Sequence, residues 1–184
     1  MTNKVSSAEN QQERLRTSNW IVGFVDGEGA FLISILKNPK SKTGWQVFPE
    51  FIVTQGAKSK EVLYLIKEFF GCGQVYLNRR HDNHTEDLYR YCVRSLGELS
   101  DVIIPFFKEF PLKTHKAKDF EIFCQAFELI SQRKHLTTSG LTEIANLAMK
   151  MNRKVKPKFL ESPLTIRQTA VRDSSSTEEI VASA

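Results

Sequence analysis

The sequence predicts an α+β fold in which helices cover a four-stranded antiparallel sheet, in the order αββαββα with further helices toward the C-terminus. Three observations carry this. Apolar residues recur at helical spacing in separate stretches, and short alternating runs rich in aromatic and β-branched residues fall between them in pairs. Each pair is joined by a polar turn, KNPKSKTG in the first and HDNHTED in the second. At 184 residues and 41% apolar composition, the chain can bury a sizeable core in one domain. Residues 18–160 are expected to form it, with 1–17 as a flexible lead-in. The extension 161–184 is expected to be largely disordered, because VRDSSSTEEIVASA is small and polar.

The first helix is expected to start after the N-cap candidates Thr17, Ser18 and Asn19, carry Trp20, Ile21, Val22, Phe24 and Val25, and end near Gly29. Ala30 to Leu36 and Trp45 to Gln55 form the first strand pair. Ser59 to Phe70 reads as an amphipathic helix closed by Gly71 and Gly73. The second pair is QVYLNRR and LYRYCVRS. Leu96 to Phe107, Ala117 to Ser131 and Leu141 to Met151 read as the remaining helices. Strand alternation turns Phe31, Ile33, Ile35, Val47, Phe51, Val53, Val75, Leu77, Tyr89, Tyr91 and Val93 toward the helices. The opposite face then carries Ser34, Gln46, Glu50, Thr54, Gln74, Tyr76, Asn78, Arg80, Arg90 and Arg94, together with the apolar Leu32, Phe48 and Ile52.

The segment WIVGFVDGEGAF, Trp20 to Phe31, is the least ordinary part of the chain. Gly23 and Gly27 lie four apart on one helix face, and each costs about 1 kcal/mol of helix propensity relative to alanine. Close approach of another helix would offset that cost. Asp26 and Glu28 sit at the helix C-terminus, the unfavourable end of the macrodipole for a carboxylate, so a cation is expected nearby. The plain alternative is a tight helix-to-strand turn with two solvated acids.

The string IVGFVDGEG resembles the LAGLIDADG motif of the homing endonucleases. Gly23, Asp26 and Gly29 match it, while Ile21, Val22, Phe24 and Val25 replace one apolar residue by another, and the strand AFLISIL follows. The resemblance extends over roughly residues 18 to 160. It implies a homing-endonuclease-like fold and a site-specific endonuclease that hydrolyses both strands of a long, near-palindromic double-stranded DNA with Mg²⁺, or with another divalent cation such as Mn²⁺ or Ca²⁺. It places Glu28 as the metal-binding acid and makes Gln55 and Lys116 catalytic neighbours, with Lys113 competing with Lys116. Only one copy of the motif is evident, so the resemblance implies a homodimer, with Gly23, Gly27, Val22 and Asp26 at the seam. An RNA maturase acting on a group I intron and a DNA-binding regulator without cleavage are the alternatives.

Charge agrees with a polyanionic partner. The net charge is +5 and the pI about 9.1, with Lys113, Lys116 and Lys118 in one cluster and Lys150, Arg153, Lys154, Lys156 and Lys158 in another. Arg, Gln and Asn on a strand ribbon can address base edges in the major groove. The DNA contacts expected are Ser34, Lys37, Lys40, Lys42, Gln46, Glu50, Thr54, Gln74, Tyr76, Asn78, Arg80, Arg90, Arg94, Lys113, Arg153 and Lys154. Apolar contact with thymine methyls would use Leu32, Phe48 and Ile52. His81 and His84 lack further ligands at metal-site spacing. Three widely spaced cysteines suggest neither disulfides nor zinc, so a reducing intracellular compartment is expected. No segment reads as membrane-spanning or as a secretion signal.

Overall fold

The computed structural model describes residues 2–79, 86–151 and 158–161, and it is α+β. Helix α1 (Thr2–Glu28) leads into strands β1 (Gly29–Lys37) and β2 (Trp45–Gly56), helix α2 (Glu61–Phe70), and strands β3 (Gln74–Asn78) and β4 (Leu88–Val93). A helical stretch follows as α3 (Leu96–Glu98), a π turn (Leu99–Ile103) and α4 (Ile104–Glu109), then α5 (Lys116–Ser131) and α6 (Thr138–Lys150). One four-stranded sheet has the order β1-β2-β4-β3, with β4 antiparallel to β2 and β3. The predicted element order is the observed one. Arg80, His81, His84, Arg153, Lys154 and the extension beyond Glu161 lie outside the described residues. No helix among the described residues is long and apolar enough to cross a membrane.

Two helices depart from expectation. The first starts at Thr2 rather than after Asn19, so the lead-in expected to be flexible is helical. The reason is local. Thr17 and Ser18 do not cap: their hydroxyls donate to the carbonyls of Glu13 and Arg14 at 3.0 and 2.9 Å, one turn back. Residues 8–16, AENQQERLR, contain no glycine or proline to stop a helix. The second departure is the π turn inside the helix expected from Leu96 to Phe107. Pro105 has no N–H to donate four residues back, and the turn ahead of it widens.

The chain divides into two compact units, each assembled from separate stretches: 1–32 with 49–120, and 33–48 with 121–184. The core of the first is aromatic. Phe31 of β1 stacks on Phe51 of β2 at 5.1 Å and meets Phe120 at 4.9 Å and Phe107 at 5.4 Å, while Phe70 of α2 meets Phe106 at 5.0 Å. Such pairs each contribute about 0.5–1.5 kcal/mol beyond the area they bury. Tyr91 of β4 is fully buried, and its hydroxyl donates to the Cys72 carbonyl at 3.1 Å. The face predicted to turn toward the helices is thus the packed one in this unit, except at the edge: Leu77 of β3 is 43% exposed. An edge strand has a neighbour on one side only, so less covers its side chains.

In the second unit, Ile35 and Val47 cluster with Ala126, Leu129 and Ile130 of α5, Leu141, Ile144 and Ala145 of α6, and Phe159. Helix α6 is capped by the Thr137 hydroxyl, which accepts from the Gly140 N–H at 3.2 Å. A Cβ on Gly140 would meet the Lys134 carbonyl oxygen at 2.1 Å, so only glycine fits there.

Gly29 joins α1 to β1 under the same restriction, since a Cβ there would meet Val25 Cγ1 at 2.6 Å and the Val25 carbonyl oxygen at 2.9 Å. Gly29→Ala is expected to cost about 1–3 kcal/mol by overpacking. At Gly23 a Cβ meets nothing within 4 Å, so Gly23→Ala at low protein concentration should leave the urea midpoint unchanged or raise it.

Candidate active site and nucleic-acid face

Helix α1 presents two faces over its last three turns. Ser18, Ile21, Val22 and Val25 are buried, whereas Trp20, Gly23 and Gly27 form an exposed stripe at spacings of three and four. Trp20 is 44% exposed and stacks on Phe24 with ring centroids 5.4 Å apart. Space over Gly23 and Gly27 is open, with no heavy atom within 4 Å of a Cβ placed there. Of the seam residues predicted from sequence, Gly23 and Gly27 lie on this stripe. Val22, 7% exposed, faces its own core, because two steps from Trp20 turn the side chain to the other side of the helix.

The end of α1 is gripped by the segment before α5. The Asp26 carboxylate accepts from the Lys113 N–H at 2.7 Å, the Thr114 N–H at 3.1 Å and the Thr114 hydroxyl at 2.8 Å. Burial pushes this carboxyl up, but the three hydrogen bonds and the nearby Lys116 ammonium outweigh it and hold the group below its ordinary value. The Lys116 ammonium donates to the carbonyls of Val25, Asp26 and Gly27 at 3.1, 2.9 and 2.8 Å. Burial lowers its pKa, partly offset by Asp26, Glu28 and Asp119. Lys116 thus supplies one cation beside the two acids at this helix C-terminus. Sequence reasoning missed Thr114, whose place two residues ahead of a helix start is a usual one for a side chain that bonds to backbone or carboxylate.

Glu28 is exposed at the last position of α1. Gln55 is half-buried near the end of β2, opposite Tyr89, and among the described residues no hydrogen bond joins it to Glu28 or Lys116. The two candidate lysines differ. An ammonium has three donors, and the three carbonyls occupy those of Lys116. Lys113 is exposed and its ammonium makes no hydrogen bond among the described residues. Nor, among the described residues, is there a group of three or more His, Cys, Asp or Glu able to hold a metal ion.

In the first unit the outward strand rows are those expected from alternation. Thr54 pairs with Arg90 and Arg90 with Tyr76, with Ile52, Cys92 and Gln74 in the next row. Tyr76, Asn78 and Gln74 are exposed, and Gln74 accepts from the Lys67 ammonium at 2.9 Å. Two members depart from their expected roles. Glu50 is 8% exposed, and its carboxylate is turned to Arg94 Nε and the Cys92 thiol instead of outward. Ile52, 7% exposed, is covered and offers no surface to a thymine methyl. In the second unit, Lys37, Lys40, Lys42 and Gln46 are exposed and Ser34 is half-buried. Gln46 accepts from the Asn38 amide at 2.7 Å.

A sequence profile described as LAGLIDADG endonuclease matches residues 21–127. The chain belongs to the LAGLIDADG endonuclease family. "Probable intron-encoded endonuclease 3" of Neurospora crassa is 35% identical over 140 residues, which are 75% of this chain and 25% of that protein. The crystal structure of the homing endonuclease I-TnaI superposes with a TM-score of 0.70 and 36% identity, covering 82% of this chain and 96% of I-TnaI. I-SmaMI bound to an uncleaved DNA target in the presence of calcium superposes with a TM-score of 0.70 and 33% identity, covering 78% of this chain and 47% of I-SmaMI. The chain spans about a quarter of the length of the curated relatives it matches. The four-stranded α+β architecture is thus that of LAGLIDADG homing endonucleases.

Asp26→Asn is expected to cost about 1–3 kcal/mol, the range for hydrogen bonds to a charged group. Because its folded pKa is depressed, Asp26 contributes stability that is present above its unfolded value of about 3.9 and is lost as pH falls through the lower folded value. Urea midpoints followed from pH 7 to pH 2 should therefore fall less steeply below about pH 4 in Asp26→Asn than in the parent chain.

Proposed function

We propose that this chain is an intron-encoded homing endonuclease subunit that pairs with a second copy of itself and hydrolyses both strands of a long, near-palindromic double-stranded DNA. The observation that carries this reading is the end of α1, where an exposed Glu28 carboxylate stands beside the open stripe of Trp20, Gly23 and Gly27. Two such stripes packed about a two-fold axis would bring two Glu28 side chains together, one for each DNA strand. Further support comes from the relatives: the Neurospora protein is named as intron-encoded, and I-SmaMI holds target DNA in its crystal structure. This chain covers 47% of I-SmaMI, as one half of a pair would.

The donors fit a divalent cation in part. Glu28 supplies one exposed carboxylate, and the Asp26 carboxylate is consumed by Lys113 and Thr114. Mg²⁺ is commonly bound by one or two carboxylates with waters and substrate phosphates completing its shell, so a pair of Glu28 side chains and DNA suffices. Such an ion, Mg²⁺ or another divalent cation, supplies an activated water and neutralises charge developing on the phosphate. The chain's own residues do the rest. Lys116 fixes the helix end and so the starting point of the Glu28 side chain. The Gln55 amide can orient a water, and the free Lys113 ammonium can offset negative charge at a scissile phosphate. Lys116 is then a positioning residue, because its three donors stay on the helix.

Glu28→Gln is expected to lower plasmid cleavage in Mg²⁺ by on the order of 10³-fold or more while leaving target binding in gel shifts within a few-fold. Nicking at the parent rate would refute the assignment. Gly23→Leu and Gly27→Leu, at positions where a Cβ meets no described heavy atom within 4 Å, are expected to yield folded monomers in analytical ultracentrifugation. A dimer of normal affinity in both variants would place the seam elsewhere.

A further inference from the structure

We propose that Arg94 reads a guanine in each half-site, and that Glu50 does not touch DNA but holds the Arg94 guanidinium in reading position. This rests on the endonuclease reading above and names a specificity determinant within it.

Glu50 of β2 and Arg94, one residue past the end of β4, flank the Phe51–Val93 pair, whose own side chains face the core. Their chemistry is asymmetric. The Glu50 side chain is 11% exposed and that of Arg94 55%, and the pair is made between the carboxylate Oε1 and Arg94 Nε. A second contact to Oε1 comes from the Cys92 thiol at 3.6 Å. Burying a carboxylate on a strand face is costly, and a half-exposed ion pair returns little stability. The arrangement is poorly explained as a stabilising device alone.

Its effect on the guanidinium is specific. With Nε occupied, the free edge of the fork is the Nη1 and Nη2 pair, and neither makes a hydrogen bond among the described residues. That edge carries two parallel N–H donors, the set that matches guanine O6 and N7 in the major groove. The guanidinium also lies over the Tyr76 ring, 5.9 Å from its centroid, which limits rotation of the plane. A side chain held at Nε and lying over a ring has less conformational freedom left to lose on binding. Beside it, a cavity of about 160 Å³ lined by Gln74, Tyr76, Cys92, Arg94, Ser95 and Glu98 leaves the approach open.

Arg90 makes the contrast. It sits between Thr54 and Tyr76 on the same face, but its Nε is shielded from solvent and has no partner. Among the described residues no hydrogen bond fixes its fork, so its preference among bases should be weaker than that of Arg94.

The test is binding selection by the full-length chain in Ca²⁺ from a double-stranded library randomised over one half-site, followed by sequencing. The parent chain should enrich guanine strongly at one position. Arg94→Ala should lose that preference by about 5- to 150-fold at that position alone. Glu50→Gln should weaken guanine several-fold at the same position, and Glu50→Gln combined with Arg94→Ala should match Arg94→Ala by itself. Glu50→Asp, which keeps the charge but withdraws it by one methylene, should show the same loss, and it carries the test if Glu50→Gln fails to fold in a thermal melt.

Three results would overturn the proposal. One is parental guanine preference in folded Glu50 variants. Another is a further change of base preference when Glu50 is replaced in the Arg94→Ala background, which would make Glu50 itself a reader. The third is a uniform loss of affinity across all bases with a smaller salt slope in Arg94→Ala, the mark of a phosphate contact. If the parent chain enriches no sequence at all, the endonuclease reading falls and this proposal falls with it. Enrichment that ignores Arg94 overturns this proposal alone.

Discussion

The three hydrogen bonds from the Lys116 ammonium to the carbonyls of Val25, Asp26 and Gly27 hold together a helix end that would otherwise be unfavourable. An α-helix leaves its last carbonyls unpaired and collects partial negative charge there. Here that end also carries two carboxylates, Asp26 and Glu28. Lys116 supplies both missing donors and a compensating charge, and the N–H groups of Lys113 and Thr114 take up the Asp26 carboxylate. Segment 113–116 and the end of α1 therefore fix each other. One acid is consumed in that exchange and the other, Glu28, is left facing solvent. Placing a free carboxylate where the helix disfavours it is possible only because the adjacent cation is already committed.

That grip also orients the rest of α1. Ser18, Ile21, Val22 and Val25 turn inward, which leaves Trp20, Gly23 and Gly27 outward with open space above the glycines. Two exposed helical glycines cost about 2 kcal/mol together relative to alanine. Among the described residues no packing offsets that cost, since no heavy atom lies within 4 Å of a Cβ placed at either. Gly29 and Gly140 are the opposite case, with backbone so near that a Cβ would collide. Glycines filled in by the fold serve the fold, whereas the two left open have clear space for a surface from outside it, as the proposed pairing requires. A half-exposed tryptophan in line with them extends the same surface.

Much of this was legible from residue order. Alternation alone placed the outward rows of the sheet, because a period of two leaves only two choices and the aromatic residues decide between them. The register pairs Thr54 with Arg90 and Arg90 with Tyr76, so the outward residues share one row, while the pairing itself was not legible from alternation. What the sequence concealed were competitions between equally plausible partners. Thr17 and Ser18 are good caps, but their hydroxyls found carbonyls one turn back, and the helix continued to Thr2. Lys113 and Lys116 are equivalent as letters, and only tertiary geometry shows that one ammonium is saturated and the other free. Val22 turns into its own core, away from the Gly23 stripe, because helical phase, not proximity in sequence, determines the face. Glu50 was legible as an outward residue but not as a buried one, since its burial depends on Arg94, forty-four positions away.

The same physics that fixes the helix end recurs on the strands and separates potential base readers by their freedom. Gln74 is tied to Lys67 and Gln46 to Asn38, so each must exchange an existing hydrogen bond to make a new one. Exchange of like for like adds little net energy, which makes such groups permissive. Arg94 differs because its internal partner takes only Nε, a donor that a guanine contact through Nη1 and Nη2 does not need. Orientation is thereby obtained without giving up the reading edge. On the proposed function, the two kinds of side chain divide the work: pre-oriented forks discriminate among bases, and occupied amides and lysines contribute affinity with little preference.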